Sequence, residues 1–373
     1  MPSPLLGQAS NTGGAALIPP INLIQDGTMK MDLYANKLVE QIYAGIKAKT
    51  NDKPRPHLGA SVIGDSCDRK IWYGFRWINR EDFDGRMLRL FRRGQDEELP
   101  LVKDLRAAGL IVDDINPTTK RQFGFKDGFF AGSCDGIIVS GVPEAPKAKH
   151  VLEIKTHSLK SFNSVSKDGV EISKIQHFAQ MQVYMGKFGI ERALYVAICK
   201  DNDNIYTERV RFCKKTYEAL VERAHRIIES DRIPEPLTND PSWFECKFCS
   251  SKDTCHKGVP AKEVHCRTCA NITFNDDGTA HCQHWDAVIP FEAQLDGCNA
   301  HILHMDLVPY QMQVEDGGLV SWKIGETWVR NGERAYNVFS SKELLTNPGG
   351  CAAIVDDELA QNFRLACGGE VVG

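Results

Sequence analysis

Apolar positions along this 373-residue chain change their period several times, and each change marks an element. Leu33, Leu38, Val39, Ile42, Tyr43 and Ile46 recur at helical spacing and predict an amphipathic helix near the start. Residues 88–98 read as a second helix, in which Gly94 and Glu98 are one turn apart. The pattern then alternates: residues 132–139 and 150–156 have strand composition, and Gly141, Pro143, Pro146 and Lys147 fill the connection with turn formers. Helical spacing returns over 175–185, with Gln180 and Tyr184 at i and i+4. Strands follow at 192–199 and 205–212, joined by a turn-rich pentapeptide, and a helix runs from Lys214 to about Ser230. The order predicts an α/β fold, a mixed central β-sheet flanked by helices.

Beyond residue 260 the periodicity thins. Residues 319–324 and 327–329 are strand-like, and Ser340 followed by Glu343 has the spacing of a helix cap. Residues 1–30, with little periodic hydrophobicity, are expected to be a flexible arm. The remaining divisions are an α/β domain over 31–260, a small cysteine-rich module over 261–310 and an acidic tail domain over 311–373. No signal peptide is visible, and Pro19, Pro20 and Asn22 interrupt the apolar run near the start, so no membrane span is expected. Net charge divides unevenly. Residues 261–373 carry 7 Lys and Arg against 16 Asp and Glu, whereas residues 1–260 carry 38 against 33. The α/β part is thus mildly basic, which suits a nucleic-acid substrate, and the tail is not suited to touching phosphates.

The candidate chemistry sits on the two middle strands. A hairpin there brings Asp135 beside Glu153, and two carboxylates a few ångströms apart suit Mg²⁺ or Mn²⁺. Lys155 projects from the same strand face as Glu153, because side chains alternate with period two. An ammonium beside a metal-bound carboxylate orients an attacking water while the metal stabilises charge on a phosphate. The set outlines a site for phosphodiester hydrolysis.

Asp135, Glu153-x-Lys155 and Gln180-x-x-x-Tyr184 resemble the PD-(D/E)xK nuclease superfamily, in particular its RecB-like and lambda-exonuclease-like members, which phages often encode. Gly94-x-x-x-Glu98 is similar to a helix motif of the lambda-type branch, and the likeness covers roughly residues 57–256. Cys134 stands where the family name has proline. The resemblance implies a restriction-endonuclease-like core and DNA exonuclease activity in recombination, repair or phage DNA metabolism. It further implies that Glu98, Asp135, Glu153 and the Ile154 carbonyl hold the metal, that Lys155 positions the water, and that Gln180, with Tyr184, holds substrate or the lysine. An end-processing endonuclease and a non-catalytic DNA-binding or partner-binding protein are the alternatives. A single-strand-binding or annealing protein is a further candidate partner, and the cytosol of a bacterium or phage-infected host the expected location.

Thirteen cysteines without a secretory signal point to metal ligation rather than disulfides. Cys246, Cys249 and Cys255 leave a site one ligand short, and Cys67 is the lone upstream partner. That arrangement resembles the iron–sulfur staple of AddB-type and CRISPR-associated RecB-like nucleases, which implies a [4Fe–4S] cluster; Zn²⁺ on the same ligands, or with His256 replacing Cys67, is the alternative. Cys266, Cys269, Cys282 and Cys298 read as a zinc-ribbon-like set, with His284 and His301 as rivals for the last places.

Overall fold

The computed structural model describes residues 33–50, 53–345 and 357–367, so the arm expected over 1–30 lies outside the described residues. The chain runs α1 (Leu33–Ala48), β1 (Leu58–Gly59), α2 (Asp68–Phe75), α3 (Gly85–Asp96) and α4 (Glu98–Ala107), then β2 (Ile111–Asp113), β3 (Gly124–Asp127), β4 (Phe130–Ser133), β5 (Gly136–Ser140) and β6 (His150–His157). Helices α5 (Leu159–Ser173) and α6 (Ile175–Phe188) cross over to β7 (Arg192–Cys199), β8 (Ile205–Arg211) and α7 (Lys214–Glu229). The central sheet has the order β2-β5-β6-β7-β8, with β6 and β7 parallel and the other pairs antiparallel. This is the mixed sheet flanked by helices that the periodicity predicts.

Both faces of the sheet are covered, which is why β6 and β7 read as nearly continuous apolar runs. Leu152, Ile154, Leu194, Val196 and Ile198 pack on one side with Leu101 and Val102 of α4. Val151, Ala193, Tyr195, Ala197 and Cys199 face the other side, in a core shared with α6 and α7. The second core also takes in Trp72, Tyr73 and Phe75 of α2.

Several local expectations are corrected. The stripe on α1 does not turn inward: Leu38, Val39 and Ile42 are exposed. This helix meets α3 instead at Gly85, where a Cβ would lie 2.2 Å from the Tyr43 carbonyl oxygen. The helix expected over 88–98 breaks at Glu97, so Glu98 opens α4 rather than closing α3. Helix α5 is not among the predicted helices; it buries Phe162, Val165 and Val170 and is kinked at Gly169, whose φ is 76°.

The segment after residue 247 does not stand apart from the α/β core. Short helices α8 (Phe244–Lys247) and α9 (Lys252–Lys257) lead to a three-stranded antiparallel sheet of β9 (Ile272–Phe274), β10 (Ala280–Cys282) and β11 (Ala287–Ile289), followed by α10 (Phe291–Gln294). Ala261, Ile272, Phe274 and Ala280 belong to the same hydrophobic core as α2 and α6. Arg267 fixes the join: it is wholly buried, donates to the Phe75 and Pro56 carbonyls at 2.7 Å and to Gln294 Oε1 at 3.0 Å, and lies 4.0 Å from the Trp77 ring centre. The boundary at 260 is therefore one of sequence character and not of packing.

The boundary at 310 is likewise displaced. Ile302, Leu303 and Val308 share a separate core with Trp322, Val329, Phe339 and Phe363. That core joins β12 (Met312–Val314), β13 (Val320–Ile324), β14 (Thr327–Asn331), β15 (Val338–Phe339), α11 (Ser341–Leu345) and α12 (Glu358–Ala366). The Ser340 cap is present, with Ser340 N–H donating to Glu343 Oε2 at 2.8 Å and Glu343 N–H to Ser340 Oγ at 3.3 Å. Among the described residues no helix is long and apolar enough to cross a membrane.

Candidate active site

Strand β6 fixes the first row of the site. Alternation sends Leu152 and Ile154 to one core, and Glu153, Lys155 and His157 to the opposite face, under α5 and α6. Asp135 enters from the neighbouring strand. Its chain leaves the small sheet β1-β4-β3 and joins the central one as β5, where Gly136 pairs with Leu152. At that crossing Asp135 Oδ2 accepts the Ile154 N–H at 2.6 Å, continuing the ladder with a side chain in place of a main-chain carbonyl.

Glu153 is the anomaly. It has no exposed surface, and its Oε2 has no hydrogen-bond donor. Its counter-charge is Lys155 Nζ, in close contact with Oε1, while the same ammonium donates to the Ile154 carbonyl at 3.3 Å. Burial pushes the Glu153 carboxyl up to about 7; Lys155 opposes this and Asp135 adds to it. Burial likewise raises Asp135, against the pull of Lys155 and the Ile154 N–H. Glu98, at the start of α4, is raised to about 7 by burial and then by Asp135. Burial would lower Lys155, but Glu153 and then Asp135 outweigh it and hold the ammonium above its usual range. Three carboxylates thus crowd around one cation, and each disfavours charge on the next.

The second row lies on α6. Gln180 and Tyr184 are buried, and Gln180 Nε2 donates to Tyr184 Oη at 3.1 Å. Burial and then Glu153 hold the Tyr184 phenol well above its ordinary value. Two glycines admit the helix. A Cβ at Gly64 would lie 2.7 Å from Ala179 Cβ, and one at Gly132 would lie 3.0 Å from Tyr184 Oη.

No family model matches this chain, and no curated protein matches it. Among solved structures, SSO0001 overlaps 60% of this chain and 97% of its own, at 18% identity and a TM-score of 0.37. An alkaline exonuclease from Laribacter hongkongensis overlaps 50% of this chain and 90% of its own, at 16% identity and a TM-score of 0.32. A phage-related exonuclease from Haemophilus somnus 129PT overlaps 36% and 65%, at 16% identity and a TM-score of 0.26. These are low-identity overlaps with part of the chain.

Among the described residues, no three His, Cys, Asp or Glu side chains form a group that holds a metal ion as they stand. The fit to a divalent cation therefore rests on donor chemistry. A buried carboxylate with one oxygen undonated and the other held by a single ammonium, beside two further acids, is a costly arrangement that hard-cation ligation would relieve.

The cysteines fall into two neighbourhoods. Cys67 caps α2, and Cys246, Cys249 and Cys255 come from the segment carrying α8 and α9. They are near enough that, after burial, Cys67 and Cys255 raise the thiols of both Cys246 and Cys249. Ser66 Oγ donating to Glu245 at 2.6 Å, and Asn79 Nδ2 to Thr254 at 2.7 Å, hold the two chain regions together. In the second neighbourhood, burial raises Cys266 to about 12, followed by Cys269, Cys298 and Cys282. His301 has other partners: Nδ1 lies 2.8 Å from Ser341 Oγ, and Nε2 lies 3.2 Å from Thr268 Oγ1 and 3.1 Å from the His265 carbonyl. His284 packs edge-on against Trp285, and both histidines line the same cavity as the four cysteines.

One constellation escaped sequence reading. His157, His177 and Tyr195 converge beside Lys155, and nothing in the chain marked them, since Tyr195 lies within an apolar strand and the histidines are 20 residues apart in sequence.

Proposed function

We propose that this protein is a Mg²⁺- or Mn²⁺-dependent deoxyribonuclease, an exonuclease of the RecB and lambda type acting in DNA recombination, repair or phage DNA metabolism. One observation carries the reading: a wholly buried Glu153 with no donor on Oε2, paired through Oε1 with Lys155 in the same row and across the strand pair from Asp135. A buried carboxylate kept only for structure would have both oxygens satisfied.

Glu98, Asp135, Glu153 and the Ile154 carbonyl would hold the metal, which when bound activates water and stabilises charge on the scissile phosphate. Lys155 would orient the water and stabilise developing negative charge. Gln180, braced by Tyr184, presents an amide to the same space and holds substrate or the lysine. Cys67, Cys246, Cys249 and Cys255 would hold a [4Fe–4S] cluster, or zinc, closing the nuclease region; Cys266, Cys269, Cys282 and Cys298 would hold zinc. DNA is the substrate, a single-strand-binding or annealing protein a candidate partner, and the cytosol the place of action.

The test is incubation of the full chain with 5′- and 3′-labelled linear DNA and with circular DNA, in Mg²⁺, Mn²⁺ or EDTA. The expected result is metal-dependent loss of linear label with the circle intact. Nicking of the circle favours the endonuclease, and DNA binding without cleavage under either metal favours the non-catalytic alternative.

A further inference from the structure

The row of site residues on β6 does not end at Lys155. His157 projects from the same face two residues on. On α6, His177 lies three residues before Gln180 and seven before Tyr184, on the same helical stripe. One buried hydroxyl joins these two imidazoles. Tyr195 Oη lies 2.8 Å from His157 Nε2 and 2.9 Å from His177 Nδ1, and Ser161 Oγ on α5 lies 2.9 Å from His157 Nδ1. Tyr195 is wholly buried, and its Cα pairs with that of Glu153, so its ring spans the site's row from the Glu153 level to His157. Strands β6 and β7 and helix α6 are therefore tied through a single oxygen atom, and α5 joins them through the His157 ring.

We propose that Ser161, His157, Tyr195 and His177 form a neutral hydrogen-bonded chain that positions the Lys155 strand against the Gln180 helix. The inference rests on the hydrolytic reading of that site. The chain sets the separation between the β6 row that carries Glu153 and Lys155 and the α6 stripe that carries Gln180 and Tyr184. Charge supports the neutral form. Burial, then Lys174, Lys200 and Lys155, lowers His157 to about 4; burial, then Lys155, His157 and Lys174, lowers His177 to about 3. An imidazolium at either position would repel the ammonium that the site depends on.

Proton counting makes the idea specific. Tyr195 has one hydroxyl proton, so it donates to one ring and accepts from the other. In one order Ser161 donates to His157 Nδ1, His157 Nε2–H to Tyr195, and Tyr195 to His177 Nδ1, leaving the remaining His177 proton on Nε2. In the reverse order both rings carry their proton on Nδ1. Either way the two histidines share one tautomer.

Nitrogen-15 NMR of the histidine-labelled full chain at neutral pH should show both rings neutral and of the same tautomer, with Tyr195→Phe uncoupling them. A protonated ring or opposite tautomers in the wild type would overturn the chain. In the cleavage assay Tyr195→Phe should lower kcat about tenfold to a hundredfold, the cost of a misplaced group, with KM changed by less than about twofold. His177→Asn, which keeps a polar atom near the Nδ1 position, should keep most of the turnover that His177→Leu loses. Wild-type kcat in Tyr195→Phe, or equal loss in both His177 variants, would overturn the positioning role. Should Tyr195→Phe not fold, the His177 pair decides. A wild type that cleaves no DNA would sink the hydrolytic reading and with it the positioning role, while NMR would still judge the hydrogen-bonded chain by itself.

Discussion

Removing the charge of Glu153 should stabilise the metal-free protein while abolishing its activity. Its carboxyl moves from an ordinary 4.5 to about 7, chiefly through burial, and its pair with Lys155 is already part of that balance. At about 1.4 kcal/mol per unit, ionised Glu153 costs the metal-free fold about 3 kcal/mol. The sign follows from proton binding. A raised folded-state value means that the native state holds the proton more tightly, so stability falls as pH rises from about 4.5 and the loss is complete above about 7. Glu98 shifts in the same direction. Glu153→Gln keeps the shape and removes the charge. Buried histidines with lowered values, His157 and His177 among them, add stability to both proteins as pH rises towards 6.5, so the readout is the difference: urea unfolding in EDTA should show the variant gaining on wild type between pH 5 and pH 8 by up to about 3 kcal/mol. Mg²⁺ should restore the wild type at pH 8 and leave the variant nearly unmoved, while cleavage by the variant falls by orders of magnitude. Equal pH slopes, or a variant less stable than wild type at pH 8 in EDTA, would refute the reasoning that Lys155 by itself undercompensates this carboxylate until a cation arrives.

Further outcomes are expected. Lys155→Ala should lose turnover yet retain Mn²⁺ binding, measured by calorimetry; full activity at neutral pH in Mg²⁺ would remove Lys155 from the site. Cys67→Ser, Cys246→Ser, Cys249→Ser and Cys255→Ser should each discharge the same metal centre, read by iron and zinc analysis of anaerobically purified protein and by melting temperature. Cys266→Ser should release a different zinc, and unchanged metal content in Cys67→Ser would remove Cys67 from the ligand set. Truncation at residue 260 should not yield a folded nuclease, because it strips Ile272, Phe274 and Arg267 from the core. Arg267→Ala alone should cost several kcal/mol, since it leaves three acceptors bereft of a buried donor; a soluble, cooperatively melting 1–260 fragment would show that the junction is not needed.

What the sequence by itself determined is local and periodic. Alternation on residues 150–157 was enough to put Glu153 and Lys155 on one strand face, and turn formers at 141–147 were enough to fold Asp135 back towards them. The apolar runs of β6 and β7 marked strands buried on both faces, and Ser340 with Glu343 marked a cap, because each of these signals lies within a few residues of its cause. The tertiary structure decided everything that depends on which surfaces meet. Helix α5 is broken at Gly169, so its buried Phe162, Val165 and Val170 do not form one unbroken helical stripe. The exposed stripe of α1 reads as a core face, since hydrophobic spacing alone does not say whether a partner is present. The cysteine-rich module reads as separate because its composition changes at 260, whereas its core is shared through side chains far away in sequence. The Tyr195 hydroxyl, buried between two histidines from different elements, has no sequence signature at all: hydrogen bonds between distant residues are fixed by packing, and packing is a property of the whole chain.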